Sequence, residues 1–410
     1  MLTLWKSFPE KTSYSSPTPT NLNTFDLSLL DQLIPASYVP VILYYPNNNG
    51  DNFEALERSA ALKNSLSKTL TQFYPLAGTI KSDLSIDCND IGANYIVALV
   101  HRRLDEFLEH PDHGLINKFL PFEPFNESSA GNHVTNVQLN IFECGGIAIG
   151  LCVSHKIVDG AALHTFLKGW TNMARGAQEV VYPNLTAPSL FPAKSSTWLR
   201  DEMMAWSQTL IREGNCCTKR FVFRSDAIAR LQARAAGNGV NSPTRVEAVS
   251  GFIWKCAMAA SKEAHGVQKP SRLTHMVNLR PKLADTLSND FISRGDRGYV
   301  AMQKSLKEMR EVDSLVSIEN YGFTSWCKMG SYELDFGFGK PSWVTGPIGD
   351  GAPFFMNLVT LMDTKCGKGI EAWVYLDETE MEILQKNQDL LAYASVDPSP
   401  LVPDEVGAFV

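Results

Sequence analysis

Two long apolar runs, Val137–Cys144 and Ile147–Ser154, are separated only by Gly145 and Gly146. Two glycines between apolar runs are typical of a β-hairpin, because both central residues of a type I′ turn need a positive φ. We therefore predict two antiparallel strands over these runs, with the tight turn at the glycines. This hairpin is the strongest local constraint on the fold, and the polar segment that follows it begins with His155.

A helix is predicted directly after that segment. Its apolar residues recur at three- and four-residue spacing, as one face of an amphipathic helix requires. They are Leu163, Phe166, Leu167, Trp170 and Met173. Asp159 is placed to cap this helix, because a carboxylate there accepts hydrogen bonds from the free N–H groups of the first turn. With a further helical pattern over 54–73 and other strand-like runs, the first half of the chain predicts an α/β fold of mixed sheets with helices.

The length of the chain predicts two domains, since 410 residues exceed what one hydrophobic core usually serves. Residues 178–217 are rich in Pro, Ser and Thr, which is typical of a connection between domains. We expect an N-terminal domain over 1–177, an interdomain linker over 178–217 and a C-terminal domain over 218–410. In the C-terminal domain, Thr244–Glu247 has the pattern of a capping box that begins a helix.

Composition argues against several classes of protein. The formal net charge of −7 does not favour a nucleic-acid partner. No apolar stretch is long enough for a membrane span, and the first residues lack the pattern of a secretory signal. The eight cysteines form no C-x-x-C pair, so neither a metal site nor a disulfide framework is predicted. These observations predict a cytoplasmic protein.

His155 is the candidate for acid–base chemistry. It begins the run HKIVDG at His155–Gly160, between a predicted strand and a predicted helix, where a rigid scaffold can present a side chain. An imidazole with an ordinary pKa of about 6.5 can take a proton from an alcohol at neutral pH. These residues alone leave two interpretations open, a general base and a structural histidine at a strand end. The other seven histidines are interpreted as structural.

A second run, DFGFG at Asp335–Gly339, has two glycines around an aromatic residue and is followed by Lys340 and Pro341. This composition indicates a tight irregular turn and not the interior of a helix or strand. Asp-Phe-Gly also occurs in the magnesium loop of protein kinases, but here neither the glycine-rich phosphate loop nor His-Arg-Asp precedes it. The residues therefore favour an architectural turn.

Together, the two runs resemble a known family. HKIVDG is similar to the HxxxD motif of the plant BAHD acyltransferases, and DFGFG is similar to their DFGWG motif, in the same order along the chain. Further matching runs extend the resemblance over nearly the whole chain. They are Ser16–Pro19, Leu29–Gln32, Tyr74–Gly78, Cys88–Asp90, Thr244–Glu247, Asn278–Arg280, Ser325–Cys327 and Glu371–Trp373. The chain most resembles the vinorine synthase-like branch, whose members acetylate hydroxyls of alkaloids or terpenoids.

The resemblance implies two pseudo-symmetric domains similar to chloramphenicol acetyltransferase, with an active-site channel at their interface. It also implies acyl-CoA as co-substrate (acetyl-CoA by analogy), a small-molecule alcohol as acceptor, no permanently bound cofactor, and a monomer. His155 would be the general base, without a covalent acyl-enzyme, and Asp159 would brace the loop that holds it. For coenzyme A we expect contacts at Thr244 and Arg245, because the free N–H groups of a helix start suit a phosphate.

The DFGFG motif also has an implied role. Asp335 matches the acid that pairs with an arginine in the family, and Arg280 is at the position of that arginine. Gly337, Phe338 and Gly339 complete the structural motif. A buried Asp–Arg pair is costly to break on one side, by about 3–5 kcal/mol, because the partner is left without its counter-charge.

The sequence departs from the family at two places. Phe338 replaces the tryptophan of the motif, which removes an indole N–H but keeps an aromatic ring, and we expect the ring to act by packing. From Arg280 to Asp335 there are only 55 positions, several tens fewer than in the family. The chain is either a naturally shortened paralogue or the product of an incomplete gene model.

The shortened segment keeps other functions open. One is a catalytically impaired homologue that retains small-molecule binding, and another is an acylsugar or phenolic acyltransferase of the same family. A triad hydrolase is not favoured, because the Gly-x-Ser-x-Gly elbow is absent.

Overall fold

A computed structural model describes most of the 410-residue chain. The described residues are 7–11, 17–47, 54–123, 128–193, 198–237, 242–278, 280, 304–312 and 317–402. The chain divides into two compact units. Unit 1 consists of Met1–Ser196, Met329–Ile348 and Ser399–Leu401, and unit 2 consists of Thr197–Lys328, Gly349–Pro398 and Val402–Val410.

Unit 1 is built on a mixed sheet of six strands. Its strands are β1 (Ser7–Lys11), β2 (Thr24–Asp26), β3 (Tyr38–Tyr45), β4 (Thr79–Ser82), β5 (Ser85–Asp87), β6 (Asn94–Val100), β7 (Thr135–Phe142), β8 (Ile147–Ser154) and β13 (Trp343–Thr345). Its helices are α1 (Leu29–Gln32), α2 (Glu54–Gln72), α3 (Leu104–Glu109), α4 (His113–Ile116), α5 (Gly160–Ala174) and α6 (Ala187–Leu190). The main sheet has the order β1-β6-β7-β8-β3-β13, in which only β6 and β7 are parallel. A smaller sheet has the order β2-β5-β4.

The predicted hairpin is confirmed as the antiparallel pair β7–β8, but its turn differs from the prediction. β7 ends at Phe142, and Gly145 N donates to Phe142 O across 2.8 Å. Gly145 has a φ of 74°, whereas Gly146 lies outside the left-handed region. The two-residue type I′ turn was therefore wrong, because this longer connection needs a positive φ at one glycine only. Every residue of both strands is buried, as expected for central strands.

The segment 329–348 belongs to unit 1, although the predicted bounds keep it in the C-terminal domain. Its strand β13 pairs antiparallel with β3, with Trp343 opposite Tyr44. The rings of these two residues stack with centroids 5.3 Å apart, and Tyr45 donates its hydroxyl to Leu334 O at 2.8 Å. Strand pairing and aromatic packing thus hold this late segment on the first unit.

Unit 2 has a second six-stranded mixed sheet. Its strands are β9 (Ile211–Glu213), β10 (Cys216–Phe223), β11 (Ser271–His275), β12 (Glu319–Ser325), β14 (Phe354–Met356), β15 (Leu358–Asp363), β16 (Ile370–Asp377) and β17 (Ala394–Val396). Its helices are α7 (Trp198–Gln208), α8 (Ser225–Ala235), α9 (Arg245–His265), α10 (304–312), α11 (Glu378–Leu384) and α12 (Gln388–Leu391). The main sheet has the order β11-β12-β15-β16-β10-β17, and β14 pairs with β9.

Helix α9 confirms the predicted capping box. Thr244 Oγ1 accepts from Glu247 N at 3.2 Å, and Glu247 Oε2 accepts from Thr244 N at 2.7 Å. The helix ends at Gly266, which has a φ of 73°, the left-handed conformation that suits a glycine cap. One face of α9 packs into the apolar core of unit 2 with the main sheet.

The predicted linker is not a separate segment. Residues 178–196 group with unit 1, and 197–217 group with unit 2, where they form α7, β9 and the start of β10. Among the described helices, none is both long and apolar enough to cross a membrane.

Candidate active site

The loop that carries His155 is held by backbone hydrogen bonds at both ends. His155 N donates to Ser37 O at 2.7 Å, just beyond the last residue of β8. The last residue of β8 is Ser154, whose Oγ donates to Ser128 Oγ at 3.0 Å. Val158 N donates to Ser154 O at 3.3 Å, and this hydrogen bond closes the turn that contains His155. The histidine therefore follows a buried strand directly, in a short turn with little freedom to move.

Asp159 confirms the predicted cap of α5. Its Oδ1 accepts from Ala162 N at 2.9 Å, so the carboxylate satisfies one of the free donors of the first turn. This contact ties the HxxxD loop to the start of the helix. The location of Asp159 is thus consistent with a brace for the loop.

The environment of His155 favours the neutral imidazole. Burial lowers the pKa of His155 from its usual value, while its own backbone group, the charge of Asp159 and the backbone of Val158 oppose this shift. Nδ1 is enclosed, and no group in the described part of the chain makes a hydrogen bond of good geometry with it. A neutral ring in a pre-formed turn can accept a proton from a bound alcohol.

His164 is a second buried histidine, on α5. Its Nδ1 lies 2.7 Å from Gly160 O and its Nε2 lies 2.6 Å from Ser331 Oγ. Burial lowers the pKa of His164, and the Gly160 carbonyl opposes this. With both nitrogens engaged, His164 links α5 to the segment 329–348, which agrees with the structural role predicted for it.

The DFGFG run forms the tight turn that the sequence predicts. Asp335 Oδ1 accepts from Gly337 N at 2.7 Å and from Gly339 N at 3.0 Å. Gly337 and Gly339 have φ values of 102° and 104°, which residues with a Cβ rarely adopt. Phe336 is buried between Trp170 and Tyr45, with ring centroids at 4.9 Å and 5.8 Å. The turn is therefore fixed by its own carboxylate and by a buried aromatic anchor.

Phe338, at the position of the family's tryptophan, is half-buried in the same cluster. Its centroid lies 5.1 Å from that of Tyr45, in an edge-to-face arrangement, and 6.0 Å from that of Phe336. The guanidinium carbon of Arg58 lies 5.5 Å from its centroid, within range of a cation–π contact. These contacts support the expectation that the ring acts by packing.

Arg280 is exposed in the structure. Its backbone N donates to Asn278 Oδ1 at 3.1 Å, and its Nη1 lies 3.4 Å from the same atom. Arg280 belongs to unit 2 and Asp335 to unit 1, so the implied ion pair between them stays a prediction.

Thr244 and Arg245 have structural contacts of their own. Thr244 makes the two capping-box hydrogen bonds with Glu247. Arg245 donates to Gly367 O at 3.0 Å, to Lys368 O at 2.7 Å and to Asp363 Oδ1 at 3.0 Å. The guanidinium thus fastens the start of α9 to the β15–β16 connection. A contact with coenzyme A stays a prediction for both residues.

A buried polar network in unit 2 was missed by the sequence reasoning. Glu380 is fully buried and accepts two hydrogen bonds from Arg212, at 2.9 and 3.0 Å, and one from His265 at 2.9 Å. Glu319 accepts from Ser261 at 2.7 Å. Ligand atoms of His265, Glu319 and Glu380 lie within 4.8 Å of one another, but Arg212 pairs with Glu380 and Lys269 Nζ lies 3.5 Å from Glu319 Oε1, which favours an ion-pair network over a metal site. No local pattern marks such a network, because its members come from distant parts of the chain.

Comparison with known proteins identifies the family. The model of the Transferase family matches residues 10–311 and 299–391. Epi-neemfruitin B 7-O-acetyltransferase of Melia azedarach is 36% identical, with 94% of this chain and 97% of that protein covered. Vinorine synthase of Rauvolfia serpentina is 34% identical, with 90% and 93% covered. The crystal structure of vinorine synthase matches with a TM-score of 0.78 at 31% identity, over 96% of this chain and 99% of that one.

A more distant solved structure has the same fold. F. sporotrichioides TRI101 in complex with coenzyme A and T-2 matches with a TM-score of 0.67 over 91% of this chain and 99% of that one. Its identity is 17%, so the likeness concerns the fold alone.

These matches define an acyltransferase, and the chain belongs to the Transferase family, the acyl-CoA-dependent BAHD acyltransferases. Within the family it is similar to vinorine synthase and to O-acetyltransferases named for limonoids and for stemmadenine. The predicted family, the mixed α/β two-domain fold and the predicted use of acyl-CoA as co-substrate are confirmed.

The comparisons also bear on the shortened segment. The alignment with the Melia azedarach protein is 448 positions long, 38 more than the 410 residues of this chain, so that relative has residues that this chain lacks. The two family matches meet at residues 299–311, which lie between Arg280 and Asp335. The division of the family match thus falls in the segment that the sequence analysis marks as short.

Proposed function

We propose that the protein transfers an acetyl group from acetyl-CoA to a hydroxyl of an alkaloid or terpenoid, with His155 as general base. The observation that carries this proposal is the location of His155 in the turn between β8 and α5, where its Nδ1 is enclosed and burial lowers its pKa. The names of the relatives support the substrate class, since they are limonoid and alkaloid acetyltransferases.

The proposed chemistry gives different roles to the two ring nitrogens of His155. In this proposal the neutral ring carries its proton on the enclosed Nδ1. Nε2 then has the free lone pair and takes the proton of the alcohol as its oxygen attacks the thioester carbonyl. The same nitrogen returns the proton to the departing thiolate, so no covalent acyl-enzyme is needed. Such acid–base catalysis typically contributes about 10²–10⁴-fold, and substrate positioning supplies much of the rest.

The other motif residues have supporting roles in this proposal. Asp159 holds the loop through the cap of α5 and does not touch the substrate. Asp335, Gly337 and Gly339 shape the architectural turn, and the family pairing of Asp335 with Arg280 is retained as a proposal.

Thr244 and Arg245 are retained as candidates for a phosphate of coenzyme A. An Arg245→Gln variant should then raise KM for acetyl-CoA and leave kcat unchanged. Because Arg245 also fastens α9, its melting temperature must be compared with that of the unsubstituted protein.

We further propose a cytoplasmic monomer whose reaction involves neither nucleic acid nor a membrane. The net charge of −7 supports the absence of a nucleic-acid partner, and the absence of C-x-x-C pairs in the sequence supports the cytoplasmic location. Gel filtration tests the monomer, since an oligomer would elute earlier than a globular standard of about 45.4 kDa.

Release of free thiol from acetyl-CoA tests the catalytic proposal. The purified protein is incubated with a panel of alkaloid, terpenoid, acylsugar and phenolic alcohols. His155→Ala should abolish turnover with an unchanged melting temperature, and His110→Ala, an exposed histidine after α3, is the matched control. Turnover that survives in His155→Ala would refute the role of the base.

A second candidate function is a catalytically impaired homologue that binds small molecules. The short segment between Arg280 and Asp335, where the family match divides, favours it. Binding of acetyl-CoA or of a panel alcohol without any thiol release would support this candidate and rule out the first.

A further inference from the structure

A cleft of about 630 Å³ lies in unit 1, beside the DFGFG turn. Its walls come from the residues that follow β3, the first part of α2, the end of α5 and the turn itself. None of the described residues that line it belongs to the HKIVDG run, so the cleft is distinct from the candidate base. Small-molecule sites usually have volumes of about 300–1,000 Å³. The cleft is therefore large enough for a ligand, and its lining residues decide the chemistry of that ligand.

The charged residues that line the cleft, in the described part of the chain, are Arg58 and Arg175. No described aspartate or glutamate is among the lining residues. Asp335 belongs to the adjoining turn, but its Oδ1 accepts from Gly337 N and Gly339 N. The lining thus carries positive charge, which favours an anionic ligand.

Arg175 is exposed and directly follows the last residue of α5. A cation at this end of a helix is also stabilised by the helix dipole, which gives Arg175 a structural role as well. Its Nη2 donates to Asn172 Oδ1 at 2.8 Å, a contact that uses one of the five N–H groups of the guanidinium. Its Cγ lies 3.7 Å from the place where a Cβ on Gly337 would be, so the stem of the side chain contacts the turn. The stem is thus held, and the guanidinium retains N–H donors for a ligand.

Arg58 brings the second positive charge to the aromatic wall of the cleft. Its guanidinium carbon lies 5.5 Å from the centroid of the half-buried Phe338 ring. Phe338 in turn stacks on Phe336, with an angle of 15° between the rings and 6.0 Å between the centroids. A guanidinium is weakly hydrated, and its planar fork of N–H groups matches a carboxylate. A ligand that uses both the charge and the ring must combine a carboxylate with a flat apolar body.

We propose that this cleft, here called the arginine cleft, binds a small aromatic carboxylate. The carboxylate accepts hydrogen bonds from Arg175 and is attracted by the charge of Arg58, while the ligand ring packs against Phe338. A simple inorganic anion would leave the aromatic wall without a contact, which is the reason for assigning an organic acid. This binding is additional to the proposed acyl transfer and does not rest on it.

Two probes that differ in charge, 2-naphthoate and the neutral 2-naphthamide, test the preference for an anion. Calorimetry measures the Kd of each for the full chain in the absence of acetyl-CoA. We expect 2-naphthoate to bind about tenfold more tightly than the amide, with a Kd that rises with the salt concentration. This comparison uses the unsubstituted protein, so it does not depend on the folding of any variant. A crystal structure of the 2-naphthoate complex should have the carboxylate within hydrogen-bond distance of Arg175.

Three variants locate the binding site. Arg58→Gln and Arg175→Gln should each weaken 2-naphthoate about two- to fivefold, the effect of one partly exposed ion pair, and leave 2-naphthamide unchanged. Phe338→Leu should weaken both probes, because it removes the ring on which they pack. Arg102→Gln is the matched control and should leave both Kd values unchanged. Arg102 is half-buried in unit 1 and lies 5.8 Å from the ring centroid of Phe107, but it does not line the cleft. Melting temperatures establish that each variant is folded.

Several results would overturn the proposal. Equal Kd values for the two probes, or an unchanged Kd of 2-naphthoate in both folded arginine variants, would contradict an anion site at this cleft. The same holds for a complex with 2-naphthoate bound elsewhere, or for no binding at millimolar concentration. If inorganic phosphate binds as tightly as 2-naphthoate, or if folded Phe338→Leu changes neither Kd, the assignment of an aromatic ligand is wrong.

Discussion

Removing the carboxylate of Asp335 should destabilise unit 1 without changing the chemistry at His155. In Asp335→Ala, the amides of Gly337 and Gly339 lose the oxygen that accepts from them at 2.7 and 3.0 Å. Hydrogen bonds to a charged acceptor contribute about 1.5–3 kcal/mol each when well buried. Asp335 is partly exposed, so we expect a total loss of about 2–3 kcal/mol.

The assay is urea denaturation followed by circular dichroism, with two comparison variants. Asp335→Asn keeps an oxygen for both amides but loses the charge, and it should cost about 1 kcal/mol. Glu333→Ala removes an exposed ion pair with Lys340 in the same segment and should cost less than about 0.5 kcal/mol.

Two results would contradict this reasoning. If Asp335→Ala loses no more stability than Glu333→Ala, the two amide contacts do not hold the turn. If Asp335→Asn is as damaging as Asp335→Ala, the charge matters more than the accepting oxygen, and the ion pair with Arg280 becomes the better explanation.

Three further predictions concern pH and packing. On lowering the pH, kcat/KM should begin to fall only below a pH of about 6.5, because burial lowers the pKa of His155. A pH–rate profile in which kcat/KM already falls above that pH would contradict this. Burial lowers the pKa of both His155 and His164 in the folded protein. Below about pH 6.5 the unfolded chain therefore binds more protons than the folded protein, so the free energy of unfolding should fall as the pH is lowered further. Urea midpoints at several pH values measure this slope, and His164→Gln should reduce it. Gly150→Ala should cost about 3 kcal/mol or more, because a Cβ there would lie 1.9 Å from Phe119 O; an unchanged melting temperature would refute this close approach.

The parts of the fold that depend on residues close together in the sequence could be predicted. The β7–β8 hairpin, the cap of α5 by Asp159 and the capping box at Thr244 all follow from local patterns, and the structure has all three. The turn at Gly145 was assigned the wrong length, because strand ends depend on what packs beside them.

Contacts between distant parts of the chain could not be predicted in this way. Trp343 pairs with Tyr44, and His164 bonds to Ser331, yet no pattern around any of these residues names its partner. The candidate base was found because a motif marks it. The buried pair of Arg212 and Glu380 was missed, since only the fold brings these residues together.

The return of the chain to unit 1 at β13 has a consequence for synthesis on the ribosome. Strand β3 has β8 on one side and β13 on the other, and β13 is made almost three hundred residues after β3. Until then, the nascent first unit presents β3 as an open edge, with backbone groups ready to pair with another chain. A fragment that stops near residue 196 keeps this edge permanently and should aggregate, whereas adding 329–348 through a short tether should restore a monodisperse product.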